Sequence, residues 1–178
     1  MKKLNFGCGK RPRKDCVNLD LLKLPHVDVI HDINDFPYPF PDNTFDVIYC
    51  FQILEYGEDL IKIMGELWRI SKPGAIIEIE TPYFASSGAF SNPGRKSFIT
   101  GKTFDTFLPG NFNNFNTKAR VKILKRKLRL TRKNWLINKI PEYLVNIKFL
   151  FWGYERFFCF IFPFQEIYYK LKIIKSER

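Results

Sequence analysis

A succession of short apolar runs, the first three closed by a glycine pair or an acid, constrains this chain more than any other feature. Residues 2–6 read as a strand ended by Gly7, Cys8 and Gly9. Residues 17–20 give a second strand that ends on Asp20, and residues 27–32 a third that ends on Asp32. A fourth, residues 45–50, is entered through the turn-forming series Pro41, Asp42, Asn43, Thr44. A helix follows. Leu60, Ile61, Met64, Leu67 and Trp68 fall on one stripe at helical period, with Glu58 and Asp59 at the end where carboxylates oppose the dipole. Ser71, Lys72, Pro73 and Gly74 predict its stop, and residues 75–81 then alternate as a fifth strand closed by Pro82.

Strands separated by loops and a helix predict an α/β architecture with a mainly parallel sheet. Parallel neighbours need about a dozen residues of connection. The stretch from Gly7 to Asp15 barely supplies that, so the first crossover is expected to be a loop or a single turn. Residues 83–117 are rich in Gly, Ser, Asn and Phe, with Asn111 to Asn116 the densest part, and show little periodicity. A long irregular segment after the fifth strand is placed to cover a site at the carboxyl edge of the sheet, as a lid. Residues 121–130 alternate apolar and basic, the pattern of a strand with one face in water. Residues 141–162 read as one helix, nearly all apolar but interrupted by Lys148, Glu155 and Arg156. Those charges predict a core-packed or interfacial helix rather than a membrane span. Residues 166–174 read as a final strand.

A length of 178 residues suits a single domain with one substantial core, and 46% hydrophobic with 26% charged residues is a globular balance. The 19 Phe are a high number, which leaves aromatic side chains either for the core or for a partner or lipid. The opening residues hold no apolar stretch long enough for a secretory signal. Four scattered cysteines without metal-ligand spacing predict a reduced, cytoplasmic protein with no metal site. Charge is split along the chain: residues 1–90 carry 10 Lys/Arg against 13 Asp/Glu, and residues 91–178 carry 19 against 5. An acidic first half suits a cationic ligand and a basic second half an anionic acceptor or surface. A solvated lysine-rich face accounts for the same numbers without any ligand.

In an open α/β sheet, ligands bind beyond the carboxyl ends of the strands. Gly7 and Gly9 permit a tight turn there and let a ligand approach the backbone. Asp20 is placed to accept hydrogen bonds from two ribose hydroxyls, and Asp32 from an adenine amino group. Cys50, Phe51 and Gln52, after the fourth strand, would border the reactive end of such a ligand. Each feature alone is a common turn or cap; their order along the chain gives them weight.

These residues resemble a known family. Residues 4–12 around Gly7, Cys8 and Gly9, residues 17–20, Asp32, residues 45–55 and residues 67–75 look like the small class I S-adenosylmethionine-dependent methyltransferases of the "methyltransferase domain 11" type. The likeness covers residues 3–82 and extends more loosely through residues 84–107 and 154–172. The looser part resembles a subgroup often associated with sugar or surface-polysaccharide loci.

The resemblance implies a Rossmann-like, seven-stranded sheet whose last strand is antiparallel, abbreviated at its N-terminus. It implies one methyltransferase domain over residues 1–178: a cofactor half (1–82), a loop or lid (83–117) and a basic, aromatic half (118–178). S-adenosyl-L-methionine would then lie on Phe6, Gly7, Cys8 and Gly9, with its ribose on Asp20 beside Leu21. Its adenine would sit near Asp32 and Ile33, and its reactive end near Cys50 and Phe51. The chain departs from the family pattern in three places. It has little helix between the first two strands and none before the first. Tyr56 also stands where relatives commonly have His.

The implied reaction is in-line displacement of the sulfonium methyl group by an acceptor oxygen or nitrogen. Glu55, Tyr56 and Tyr83 are the candidates for a general base, each with an ordinary structural role as the alternative. His26 and His31 read as hydrogen-bonded loop residues. The expected acceptor is a small molecule or saccharide, in keeping with the basic half. A nucleic-acid acceptor is the second enzyme reading, supported by the basic cluster of residues 118–133 beside Trp135. A non-catalytic protein that binds a partner or a membrane surface through residues 149–164 is the third. For those aromatics, burial against the sheet or in a homodimer is the preferred expectation.

Overall fold

The computed structural model describes residues 1–111, 117–130 and 136–175. Its seven strands are β1 (Lys3–Phe6), β2 (Val17–Asp20), β3 (Val29–Ile30), β4 (Phe45–Phe51), β5 (Ser71–Pro82), β6 (Val121–Arg129) and β7 (Glu166–Ile173). They form one sheet in the order β3-β2-β1-β4-β5-β7-β6. The first five strands pair parallel, and β7 runs antiparallel to both neighbours, β5 and β6. The expected Rossmann-like sheet with an antiparallel last strand is therefore what the chain adopts.

Helix α1 (Leu60–Ile70) starts where the Asp59 carboxylate accepts from the backbone N–H groups of Ile61 (3.1 Å) and Lys62 (3.0 Å). It buries Met64 and Leu67 of the stripe read from the sequence, together with Ile63 and Ile70, while Leu60, Ile61 and Trp68 pack half-buried against the core. Ile61 and Trp68 lie at the edge of that face. Trp68 reaches across to donate its indole N–H to the carbonyl of Ile174 at 2.9 Å. The opposing face of the sheet supplies Leu4, Phe6, Ile48, Cys50, Ile77 and Ile79, and these two layers form the core.

The helix stops at Ile70 with Ser71 as its C-cap, as expected, but residues 71–74 already belong to β5, which starts with a break in register. Phe45 pairs with Ser71 and Val47 with Ile76, so the intervening residues bulge out of the ladder, with Gly74 at φ 76°. The connection between β1 and β2 contains turns only, as its length dictates. Two buried asparagines hold it in place of a helix. Asn5 donates to Asn18 (2.9 Å) and to the carbonyl of Arg11 (3.0 Å), and Asn18 accepts from the N–H of Arg13 (2.9 Å).

Arg13 then lies over the sheet, its guanidinium 4.0 Å from the ring centre of Tyr49 and 5.1 Å from that of Phe51. This second face of the sheet also carries Glu78 paired with Lys170 (3.2 Å) and Glu80 paired with Arg129. Alternation along β5 and β7 thus sorts an apolar face onto α1 from a face of charges and aromatic rings.

Two expectations for the last third of the chain are corrected. Beyond the one-turn helix α2 (Ser87–Phe90), the single helix expected over residues 141–162 is two helices, α3 (Leu136–Val145) and α4 (Lys148–Phe157). Asn146 breaks them apart, because its side chain pairs with β6 as a strand neighbour would. It accepts from Leu128 N–H (2.8 Å) and donates to Leu128 C=O (2.9 Å). The aromatics of residues 149–164 are also not generally buried. Phe151 and Phe164 enter the core, while Phe149, Phe157, Phe158, Phe160 and Phe162 are exposed. Residues 112–116, and residues 131–135 of the basic cluster with Trp135, lie outside the described residues. No described helix is long and apolar enough to cross a membrane.

Candidate functional site

Strand β1 ends in Phe6, and the chain turns at once through Gly7 (φ 70°) and Gly9 (φ 50°), backbone conformations open to glycine. The N–H groups of Gly7 and Cys8 both donate to the carbonyl of Leu19, at 2.9 and 3.0 Å, which fastens this turn to β2. Asp20, the last residue of β2, completes the fastening. One of its oxygens accepts from Gly9 N–H (2.7 Å) and the other from Leu22 N–H (3.0 Å). His26 binds the Gly9 carbonyl at 2.7 Å, a structural role in keeping with its expected one. Beyond β3, Asp32 accepts from Asn34 N–H at 2.8 Å, closing a tight turn next to the buried Ile33.

Two cavities meet at Gly7. The first, about 210 Å³, is walled by Phe6, Leu19, Ile33 and Ile53 and fringed by Asp20, Leu21, His31, Asp32, Asn34 and Tyr56. The second, about 240 Å³, lies toward the other face and is lined by Asn5, Cys8, Arg11, Arg13, Phe51 and Glu80. An apolar slot with carboxylates at its mouth leads past a glycine into a pocket of charged groups. That arrangement matches a nucleoside joined to a zwitterionic tail: apolar walls for a base, acids for hydroxyls, and both charge signs for the tail. A Cβ on Gly9 would meet nothing within 4 Å, so the loop leaves open space on that side.

The remaining sequence candidates divide. Tyr56 lines the first cavity; its hydroxyl accepts from Asn92 (3.0 Å), and Arg95 stands 5.9 Å from its ring centre. Glu55 is buried, accepts from Thr81 Oγ1 at 3.1 Å and faces Arg95 at 3.9 Å. Its backbone carbonyl accepts from the N–H groups of Lys96 (2.7 Å) and Ser97 (3.1 Å). Residues 92–97 of the irregular segment therefore run alongside residues 55–57, next to the first cavity. Tyr83 points toward α4, where its hydroxyl donates to Glu155 at 3.2 Å; burial pushes its pKa up. Cys50 is turned wholly into the core, and burial alone raises its thiol pKa, whereas Phe51 lines the second cavity.

Sequence reasoning passed over Asn5, Arg11, Arg13, Asn34 and Ile53. A signal for the arginines was present: a crossover too short for a helix must lay its own residues beside the glycine turn.

Cys8 gives a test of the second cavity. Burial, helped by the Asp20 charge, pushes its thiol pKa from 9.0 up to about 11. Because only the thiolate reacts, Cys8 is expected to label with iodoacetamide about a hundredfold more slowly than an ordinary thiol at neutral pH. The rate should climb until the pH passes about 11. Peptide mass spectrometry after timed labelling reads this directly, and rapid labelling of Cys8 at pH 7 would contradict the geometry.

Comparison with known proteins bears on the whole arrangement. An S-adenosylmethionine-dependent methyltransferase from Mesorhizobium loti superposes with a TM-score of 0.60 at 13% identity, over 96% of this chain and 90% of that one. One from Archaeoglobus fulgidus gives 0.58 at 14% identity, over 96% and 85%. Residues 13–79 match the family model described as a methyltransferase domain. Over residues 13–79 the chain is thus similar to the methyltransferase domain, and its fold is that of the S-adenosylmethionine-dependent methyltransferases.

Among curated sequences, a "Probable S-adenosylmethionine-dependent methyltransferase" of Mycolicibacterium smegmatis is 33% identical over 60 residues, 34% of this chain and 23% of that protein. A demethylmenaquinone methyltransferase of Anoxybacillus flavithermus is 37% identical over 57 residues, 32% and 24% of the two chains. These matches span less than a quarter of each relative's length. The solved relatives named above are S-adenosylmethionine-dependent methyltransferases, and in this chain the two cavities meet at Gly7.

Proposed function

We propose that this chain transfers the methyl group of S-adenosylmethionine to a small-molecule or saccharide acceptor. The observation that carries the reading is the position of Gly7 between two cavities, with Asp20 and Asp32 on adjoining strand ends of the first. Asp20 takes the ribose hydroxyls, while Asp32 and Asn34 meet the adenine edge between Ile33 and Phe6. Arg11 and Arg13 face the carboxylate of the methionyl tail, with Glu80 toward its ammonium group. S-adenosylmethionine, when bound, supplies an electrophilic methyl group on a sulfonium. The protein's part is to align an acceptor heteroatom with it and to exclude water. Of the three candidate bases, Tyr56 is the one that borders the first cavity. Its hydroxyl is fitted to orient an acceptor hydroxyl or relay its proton.

A small acceptor is favoured over a nucleic acid because much of the described basic cluster is already committed. Arg126 pairs with Asp105, Arg129 with Glu80, and Lys127 with Glu142 (3.6 Å). Cations so engaged do not form a free phosphate track.

Calorimetric titration with S-adenosylmethionine and with its demethylated product tests the cofactor half. Saturable micromolar binding, about 8 kcal/mol, is expected. Folded protein that binds neither ligand would refute the reading. Transfer of a labelled methyl group is then compared between anionic sugars and RNA, and methylation confined to RNA would overturn the acceptor class.

A further inference from the structure

Helices α3 and α4 and the turn after them form an excursion between β6 and β7. Arg129, at the end of β6, pairs with Glu166, at the start of β7, and Glu166 pairs with Pro82 at the end of β5. The excursion therefore leaves the sheet at the same edge as the cofactor cavities. Its inner side is anchored by Phe151, Tyr154, Cys159 and Phe164. Its outer side is apolar and uncovered: Phe149 is 85% exposed, Phe160 73% and Phe162 69%, and Phe157 and Ile161 accompany them. An apolar groove of about 370 Å³ runs between the two helices past Leu144, Phe149, Leu150 and Phe158. Exposed phenylalanines in such number mark an interaction site.

Charge selects the occupant. The two carboxylates of residues 136–165 both face inward. Glu142 meets Lys127 and the N–H of Leu130 (2.8 Å), and Glu155 meets Tyr83 and the N–H of Gly101 (2.6 Å). On the outer side Arg156 is exposed and stands 5.4 Å from the ring centre of Phe157. A two-fold dimer through this face would bring like charges together. An anionic bilayer offers what the face lacks, an apolar layer for the phenylalanines beneath a layer of negative headgroups.

We propose that α3 and α4 seat the protein peripherally on an anionic lipid surface. This surface is separate from the cofactor cavities and does not depend on the reading given to them.

Flotation of the full chain with vesicles tests it, using phosphatidylcholine alone or with phosphatidylglycerol. The wild type is expected to float with the phosphatidylglycerol vesicles and only weakly with phosphatidylcholine alone. Combined Phe149→Ser, Phe160→Ser and Phe162→Ser lowers partitioning by at least about tenfold. Arg156→Gln lowers it about fivefold at low salt, about 1 kcal/mol for one cation. Because the three phenylalanines are exposed, the triple variant should keep the wild-type unfolding transition and affinity for S-adenosylmethionine. Wild type left in the soluble fraction with both vesicle types overturns the proposal. So does a dimer that the triple substitution dissociates while flotation is absent. If the triple variant fails to fold, wild-type flotation still decides.

Discussion

Asp20→Ala will lower the affinity for S-adenosylmethionine by at least about a hundredfold. Two charge-assisted hydrogen bonds to ribose hydroxyls are at stake, each about 1.5–3 kcal/mol, and their loss amounts to at least about 3 kcal/mol. The same carboxylate holds Gly9 N–H and Leu22 N–H, so its removal also loosens the turn on which the cofactor would rest. Asp20→Asn separates the two contributions, because the amide oxygen keeps one backbone contact while the negative charge is gone. Calorimetry on both variants, with thermal unfolding alongside, is the measurement. Affinity within about threefold of wild type in a folded Asp20→Ala protein would show that the ribose lies elsewhere.

Gly7→Ala is expected to destabilise the fold by about 2–5 kcal/mol. Part of this is backbone, since alanine at φ 70° costs about 1–2 kcal/mol. The larger part is steric: a Cβ there would lie 2.4 Å from Ile53 Cγ1 and 2.7 Å from Cδ1. Overpacking of that kind costs about 1–3 kcal/mol. Ile53 lines the first cavity, so the side chain that must retreat is also a wall of the proposed cofactor site. Urea unfolding of Gly7→Ala, Ile53→Ala and the double variant resolves the two parts. The double variant should be more stable than the sum of the single losses by at least about 1 kcal/mol. Strict additivity would mean that the clash is absent in solution.

The strand ends were legible because each rule involved is local. Gly7, Gly9, Asp20 and Asp32 declare themselves by the residues beside them, and the structure brings all four to one edge. Long-range partners were not legible. Nothing near Glu55 in sequence announces Thr81 or Arg95, so a carboxylate that looked available for proton transfer is engaged in the interior. The helix expected over residues 141–162 failed for a similar reason. Asn146 is an ordinary helical residue until β6 offers it a backbone amide and carbonyl to pair with. The lysine, proline and glycine after α1 do end the helix, and only the pairing of β4 with β5 reveals that they also form a bulge at the start of β5. Hydrophobicity suggested burial for the phenylalanines near the C-terminus, but it does not record which side of a helix another element covers.

The position of β7 between β5 and β6 governs the order in which the molecule can be completed. Residues 166–173 come after both of those strands in the chain, yet they are the sole link in the sheet between them. A growing polypeptide that has reached residue 165 therefore carries an open edge on β5, and a β6 with no partner strand. Such edges invite pairing with other chains. On β6, Lys122, Lys125 and Lys127 provide the usual safeguard, since lysines along an unpaired strand discourage intermolecular ladders. Some of the basic residues in this half thus have a task during synthesis, before any ligand or surface is met.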